Sequence, residues 1–155
     1  MGVHNLPNQI TDSLYIGGAQ LTNVAKKLRE MGITSVLKLY ESPPDWPPGF
    51  IVYNVPHPDG VPISATRIAR HIKFITQEIG AGRKVLVVCS AGISRSSTAV
   101  LAYLVSTGMT LPDAYRLLKS RHPIADPNPA LWNSLLKYFK LRNSPIDIFE
   151  WTFRP

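Results

Sequence analysis

Apolar and polar positions along this chain change period several times, and each change marks an element. SLYIGG (13–18) is a short apolar run closed by a Gly-Gly turn, which predicts a strand. LTNVAKKLREMG (21–32) places apolar residues at 21, 24, 25, 28 and 31, one face of a helix stopped by Gly32. ITSVLKLY (33–40) is rich in β-branched residues and predicts a second strand, and FIVYNV (50–55) a third. Between them ESPPDWPPG (41–49) carries four prolines in nine residues and reads as loop. PHPDGVPIS (56–64) is a second proline-rich loop, ending on Ser64 as the cap of a helix that runs through IARHIKFITQEIG to Gly80.

In KVLVV (84–88) the four residues after Lys84 form a continuous apolar run, the pattern of a central strand covered on both faces. Helices follow over 96–108, 111–122 and about 129–142, and the tail 144–155 shows aromatic residues without a period. Strands alternating with helices predict a single α/β domain with a mainly parallel central sheet flanked by helices. The reading assigns residues 1–143 to a catalytic domain and 144–155 to a C-terminal tail packed on it or trailing from it. Repeats and low-complexity segments are absent from the sequence.

Composition narrows the picture. The 155 residues suffice for one sizeable core. No apolar run approaches the roughly eighteen residues that span a bilayer, and the first eighteen residues lack the pattern of a signal peptide. Leu6 stands where a myristoylation signal needs Ser or Thr. A cytoplasmic, monomeric protein is the expectation. The charge is +7, from 17 Lys and Arg against 10 Asp and Glu, which suits an anionic partner. The basic residues come in small groups at helical spacing, so no dedicated nucleic-acid site is expected.

The chain has one cysteine, Cys89, which excludes an internal disulfide and makes a cysteine-based metal site improbable. It ends the buried strand and opens the loop Cys89-Ser90-Ala91-Gly92-Ile93-Ser94-Arg95-Ser96. A helix starting near Ser96 would offer unpaired N–H groups to a dianion. Gly92 can adopt the positive φ that turns them inward, and Arg95 can close the bowl with a planar fork. Cys89 then lies at the bottom, where the same field favours a thiolate. A lone cysteine is usually a packed core residue. The spacing Cys-x5-Arg-Ser with an internal Gly argues for chemistry instead.

CSAGISRS resembles the phosphate-binding loop of the cysteine-dependent protein tyrosine phosphatases, above all the small dual-specificity phosphatases. ITDSLYIGG is similar to that family's opening strand and LREMGITSVLKL to its first helix and second strand. VLAYLVSTGMTLPDAYRLLKSRHPIADPN is similar to its closing helices. The resemblance implies that Cys89 attacks phosphorus and becomes a phosphocysteine. It also implies that Arg95 and the N–H groups of Ser90, Ala91, Gly92, Ile93, Ser94 and Arg95 hold the phosphate, and that Ser96 assists the departing sulfur. No metal or other cofactor is required. The implied partners are a phosphorylated protein or peptide, and phosphate, sulfate or vanadate in the cradle.

The family's general acid is an Asp some thirty residues before the cysteine. Asp59, in NVPHPDGVP, takes that position; Asp126 and Asp45 are the competitors. His57 is a neighbour able to tune that loop, while His71 and His122 fall in predicted helices without metal-ligand spacing. The family usually has His directly before the cysteine, and this chain has Val88. The resemblance therefore implies a thiolate held by the helix terminus, the loop N–H groups, Ser96 and Arg95 alone. Lys38 stands where relatives often carry Asn, either near the cradle or turned to solvent. The loop lacks the lysines of phosphoinositide phosphatases, which points to phosphotyrosine and also to phosphoserine or phosphothreonine. A phosphoprotein-docking module without turnover is the first alternative. A phosphatase of RNA 5′-phosphates, sugars or lipids is the second.

Overall fold

The structure, a computed structural model, describes residues 6–41 and 43–141. The expected domain boundary at 143 and the tail 144–155 lie outside the described residues. Five strands, β1 (Asn8–Thr11), β2 (Leu14–Gly18), β3 (Ile33–Lys38), β4 (Ile51–Asn54) and β5 (Lys84–Cys89), form one sheet in the order β1-β2-β5-β3-β4. The β2–β5, β5–β3 and β3–β4 pairs are parallel, and β1 runs antiparallel to β2 at one edge. Among the described residues five α-helices accompany them: α1 (Ala25–Glu30), α2 (Ala65–Gly80), α3 (Arg95–Ser106), α4 (Leu111–Arg121) and α5 (Pro129–Tyr138). This is the mainly parallel α/β architecture that the alternation predicts.

The uninterrupted apolar run of β5 has a direct cause. Val85, Val87 and Cys89 face a core shared with α2, α3, α4 and α5. Leu86 and Val88 face a smaller layer with Tyr15, Leu21, Leu28 and Val36. Both faces are dry, and each such aliphatic side chain contributes about 1.5–3 kcal/mol on burial. Val88 fills a fully buried place in that second layer.

Three boundaries differ from expectation. The helix expected over 21–32 begins as a 3₁₀ segment, Ala19–Val24, and becomes α1 at Ala25. Thr22 explains part of this, since its hydroxyl donates to Ala19 O at 3.0 Å and supports the tighter turn. The last helix stops at Tyr138, short of 142. The backbone of Lys140 turns left-handed there, at φ 55°, and Leu141 N–H donates to Leu136 O at 2.8 Å. His122 lies just past α4 instead of inside a helix.

Helix α2 shows how its amphipathic pattern is used. Ser64 Oγ caps it by accepting from Arg67 N–H at 3.2 Å, and Ile68, His71 and Ile75 face the core. His71 is only 3% exposed, and its Nε2 has no hydrogen-bond partner among the described residues. Burial, then His57 and Arg67, pushes its pKa down to about 4. The unfolded chain takes up this proton near pH 6.5 and the folded one only near 4. His71 therefore withdraws stability as pH falls through that window, by at most about 1.4 kcal/mol per pH unit. The urea midpoint should drop more steeply between pH 6.5 and 4.5 in the wild type than in His71→Leu. Parallel curves would exclude the effect.

Candidate active site

At the carboxyl ends of the parallel strands, the chain leaves β5 at Cys89 and enters α3 at Arg95. The carbonyls of the intervening loop are tied away from its centre. Ser90 O accepts from Ala19 N–H at 3.2 Å, and Ile93 O from Asp126 N–H at 2.9 Å and from the Ser97 hydroxyl at 2.6 Å. Ser94 O accepts from Thr98 N–H and Oγ1, and Gly92 O from the His122 ring. A planar trans peptide points the following N–H the opposite way. The N–H groups of Ala91, Ile93, Ser94 and Arg95 are thereby turned from those anchors toward the bowl. They are joined by the unpaired first turn of α3.

Glycine is required at one place in this loop. Gly92 has φ +71°, and a Cβ there would stand 2.7 Å from the Gly17 carbonyl carbon and 2.9 Å from its oxygen. The loop thus rests on the bare backbone at the end of β2. The Gly17-Gly18 pair, read from sequence as a turn, instead completes β2 beside Val88 and Cys89 and leaves room for that contact.

Cys89 is 2% exposed, and its Sγ lies 3.2 Å from Ser96 Oγ, itself fully buried. Arg95 Nη1 donates to His57 O at 2.9 Å and more loosely to Leu39 O at 3.4 Å, while Nη2 donates to Ser90 Oγ at 3.0 Å. Neutral acceptors hold the guanidinium, and among the described residues no carboxylate forms an ion pair with it. Its charge is left for an incoming anion. Cys89, Ser90, Ala91, Ile93, Ser94 and Arg95 line a groove of about 1150 Å³ that continues past α4 and α5. Gly92 is buried beneath it.

Asp59 and Asp126 both line this groove, and Asp45 does not. Asp59 Oδ1 accepts from Gly60 N–H at 3.1 Å and from the side-chain amide of Asn128, in a short contact. The sequence reading placed Asn128 only at the end of the matching segment IADPN and gave it no role. Its Nδ2 holds Asp59, its backbone N–H donates to Ser94 Oγ at 2.9 Å, and its Oδ1 caps α5 through Leu131 N–H at 3.0 Å. One side chain and its backbone thus tie the Asp59 loop, the loop after β5 and α5 together. The Asn-Pro pair that starts α5 was its only local signal.

His122, read from sequence as a helical residue without metal-ligand spacing, is a second residue whose role the sequence did not show. Its Nε2–H donates to Gly92 O at 2.5 Å, and its Nδ1 accepts from the Asn8 amide at 2.7 Å. These contacts select the neutral ring. Burial pushes its pKa down, the Gly92 bond opposes that, and Lys119 adds to the lowering. Strand β1 therefore reaches the cradle through Asn8. His57 Nε2–H donates to Val61 O at 2.8 Å and so braces the loop carrying Asp59. Lys38 neither enters the cradle nor meets solvent. It is 3% exposed, and its ammonium donates to Tyr40 O at 3.0 Å and Asn54 Oδ1 at 3.3 Å and sits over the Tyr40 ring. Among the described residues no cluster of three or more His, Cys, Asp or Glu could hold a metal.

The profile of one family, described as "Dual specificity phosphatase, catalytic domain", matches residues 14–141. MAP kinase phosphatase with leucine-rich repeats protein 3 of Dictyostelium discoideum is 36% identical over 141 residues, covering 88% of this chain and 16% of that protein. Dual specificity protein phosphatase 14 of Mus musculus is 35% identical over 138 residues, covering 84% of this chain and 67% of that protein. Among solved structures, a mouse dual specificity phosphatase complexed with zinc tungstate superposes with a TM-score of 0.82. It is 28% identical, covering 88% of this chain and 87% of that one.

Proposed function

The chain belongs to the dual specificity phosphatase catalytic-domain family, and on that premise we propose that Cys89 hydrolyses phosphate monoesters of proteins through a phosphocysteine. The observation that carries this reading is the convergence of the Cys89 sulfur, the Ser96 hydroxyl and the Arg95 guanidinium on one bowl of N–H groups. In the first step the thiolate attacks phosphorus, the S–P bond forms and the ester O–P bond breaks. Arg95 and the N–H groups hold the equatorial oxygens as charge develops. Asp59 gives a proton to the departing oxygen. Its Oδ1 is occupied by Gly60 and Asn128, which leaves Oδ2 to carry that proton.

In the second step water attacks phosphorus, and Asp59 takes its proton. The S–P bond breaks, and the Ser96 O–H steadies the returning thiolate. Splitting one displacement into two lowers the barrier of each. The products are the free hydroxyl and inorganic phosphate.

Phosphotyrosine is the proposed substrate, with phosphoserine and phosphothreonine open to the same wide groove. The cytoplasm is the proposed setting, because a catalytic thiol needs a reducing compartment. No described helix is long and apolar enough to cross a membrane. Turnover of p-nitrophenyl phosphate and of phosphopeptides by the wild type tests the reading. Binding without turnover would transfer the chain to the docking-module class. Preference for RNA, sugar or lipid phosphates would move the substrate outside protein.

Asn128 acts here as a positioning residue. Asn128→Asp keeps an α5 cap yet sets a second carboxylate against Asp59. The kcat should fall by roughly 10–100-fold, the weight of a hydrogen bond to a charged group, with the melting temperature held. Equal losses of kcat and melting temperature would make its role purely structural.

A further inference from the structure

The buried ammonium of Lys38 has no part in the reaction above. Lys38 ends β3 and is 3% exposed. Neutral groups box its charge: Tyr40 O at 3.0 Å, Asn54 Oδ1 at 3.3 Å and the Tyr40 ring, whose centroid is 4.2 Å away. Among the described residues no carboxylate pairs with it. Taking an ammonium out of water carries a large desolvation cost, and an apolar chain of similar length would fill the same space without it. Packing alone does not account for a lysine here.

Its bonds lie one peptide away from those that hold Arg95. In the sheet Lys38 stands between Val88 of β5 and Asn54 of β4. Leu39 N–H donates to Val88 O at 2.9 Å, and Val55 N–H to Lys38 O at 3.0 Å. Leu39 O then accepts from His57 N–H at 3.1 Å and from Arg95 Nη1 at 3.4 Å, while His57 O accepts from the same Nη1 at 2.9 Å. Strands β3 and β4 end at Lys38 and Asn54, so Leu39, Tyr40 and His57 lie just past the ladder. There the ammonium adds a side-chain tie, from Tyr40 O on one strand exit to Asn54 Oδ1 on the other.

We propose that Lys38 is a positioning residue: its ammonium clamps the exits of β3 and β4 together and thereby fixes Leu39 O and His57 O, the carbonyls that hold Arg95 at the cradle. This assignment rests on the phosphatase reading above, in which Arg95 grips the phosphate. Lys38 touches neither substrate nor cradle and acts only through Arg95.

Lys38→Met keeps the length and the apolar stem of the side chain and removes the clamp. The kcat/KM for p-nitrophenyl phosphate should fall about tenfold, the weight of one hydrogen bond to a charged group. The deciding measurement is a double-mutant cycle. In an Arg95→Ala background Lys38→Met should cost nothing further, whereas a merely structural lysine would cost the same in both. An unchanged kcat/KM in Lys38→Met, or an equal loss with and without Arg95, overturns the proposal. If Lys38→Met does not fold, Asn54→Ala takes its place, since Asn54 is exposed. It should give a loss of a few-fold that also vanishes without Arg95, and no loss overturns the proposal. If the wild type fails on p-nitrophenyl phosphate, the catalytic reading is what has failed. Hydrogen exchange at His57 N–H, followed by NMR, then still tests the clamp. It should be faster in the Lys38 or Asn54 variant than in the wild type, and equal rates overturn the assignment.

Discussion

Cys89→Ser should cut the turnover of p-nitrophenyl phosphate on the order of 10⁶-fold, the scale seen when a covalent nucleophile is removed. The hydroxyl is close in size to the thiol, and Cys89 sits 2% exposed between strand and helix, so the fold has little to rearrange. The loop carbonyls remain anchored to Ala19, Asp126, Ser97 and His122, and Arg95 remains held by His57 and Ser90. Vanadate or phosphate affinity should therefore stay within a few-fold of wild type, measured by calorimetry. Steady turnover in the serine variant would rule out the phosphocysteine. Loss of anion affinity together with turnover would mean that the sulfur is part of the cradle's architecture.

Asp59→Asn should slow aryl phosphate hydrolysis by about 10²–10⁴-fold, the range of general acid catalysis. The amide keeps the size of the side chain but cannot carry the proton. Asp126 provides an internal control because it lines the same groove. It meets the cradle through its backbone N–H, which donates to Ile93 O, so Asp126→Asn leaves that bond in place. Its effect should be small. A crippled Asp126 variant beside a nearly normal Asp59 variant would exchange their roles.

The parts of this molecule that could be read from sequence are those written in contiguous residues. Strand β5 announces itself because both its faces are buried and every position after Lys84 is apolar. Cys89, Arg95 and the loop between them fall within eight successive positions, and a strand-to-helix junction supplies the geometry around them. What stayed hidden depends on residues distant in the chain. Strand β1, NQIT, has little apolar pattern; pairing with β2 makes it a strand. His122 and Asn128 are ordinary at the sequence level. They gain their roles only when α4 and α5 bring them against Gly92, Ser94 and Asp59. The length of α1 was overestimated because apolar spacing cannot distinguish a 3₁₀ start from an α-helical one. Lys38 was ambiguous until its acceptors, Tyr40 O and Asn54, were in place.

The solitary state of Cys89 also governs how the protein meets peroxide. Oxidation by hydrogen peroxide converts a thiolate to a sulfenic acid, and a nearby second thiol normally captures that species as a disulfide before it advances to the irreversible sulfinic stage. This chain has no second cysteine, so an internal disulfide cannot form. Recovery must come from outside, by glutathione or another small thiol reaching the sulfur through the groove. Occupancy of the cradle by a phosphate-bearing partner closes that same approach, so a bound substrate doubles as a shield against oxidative damage.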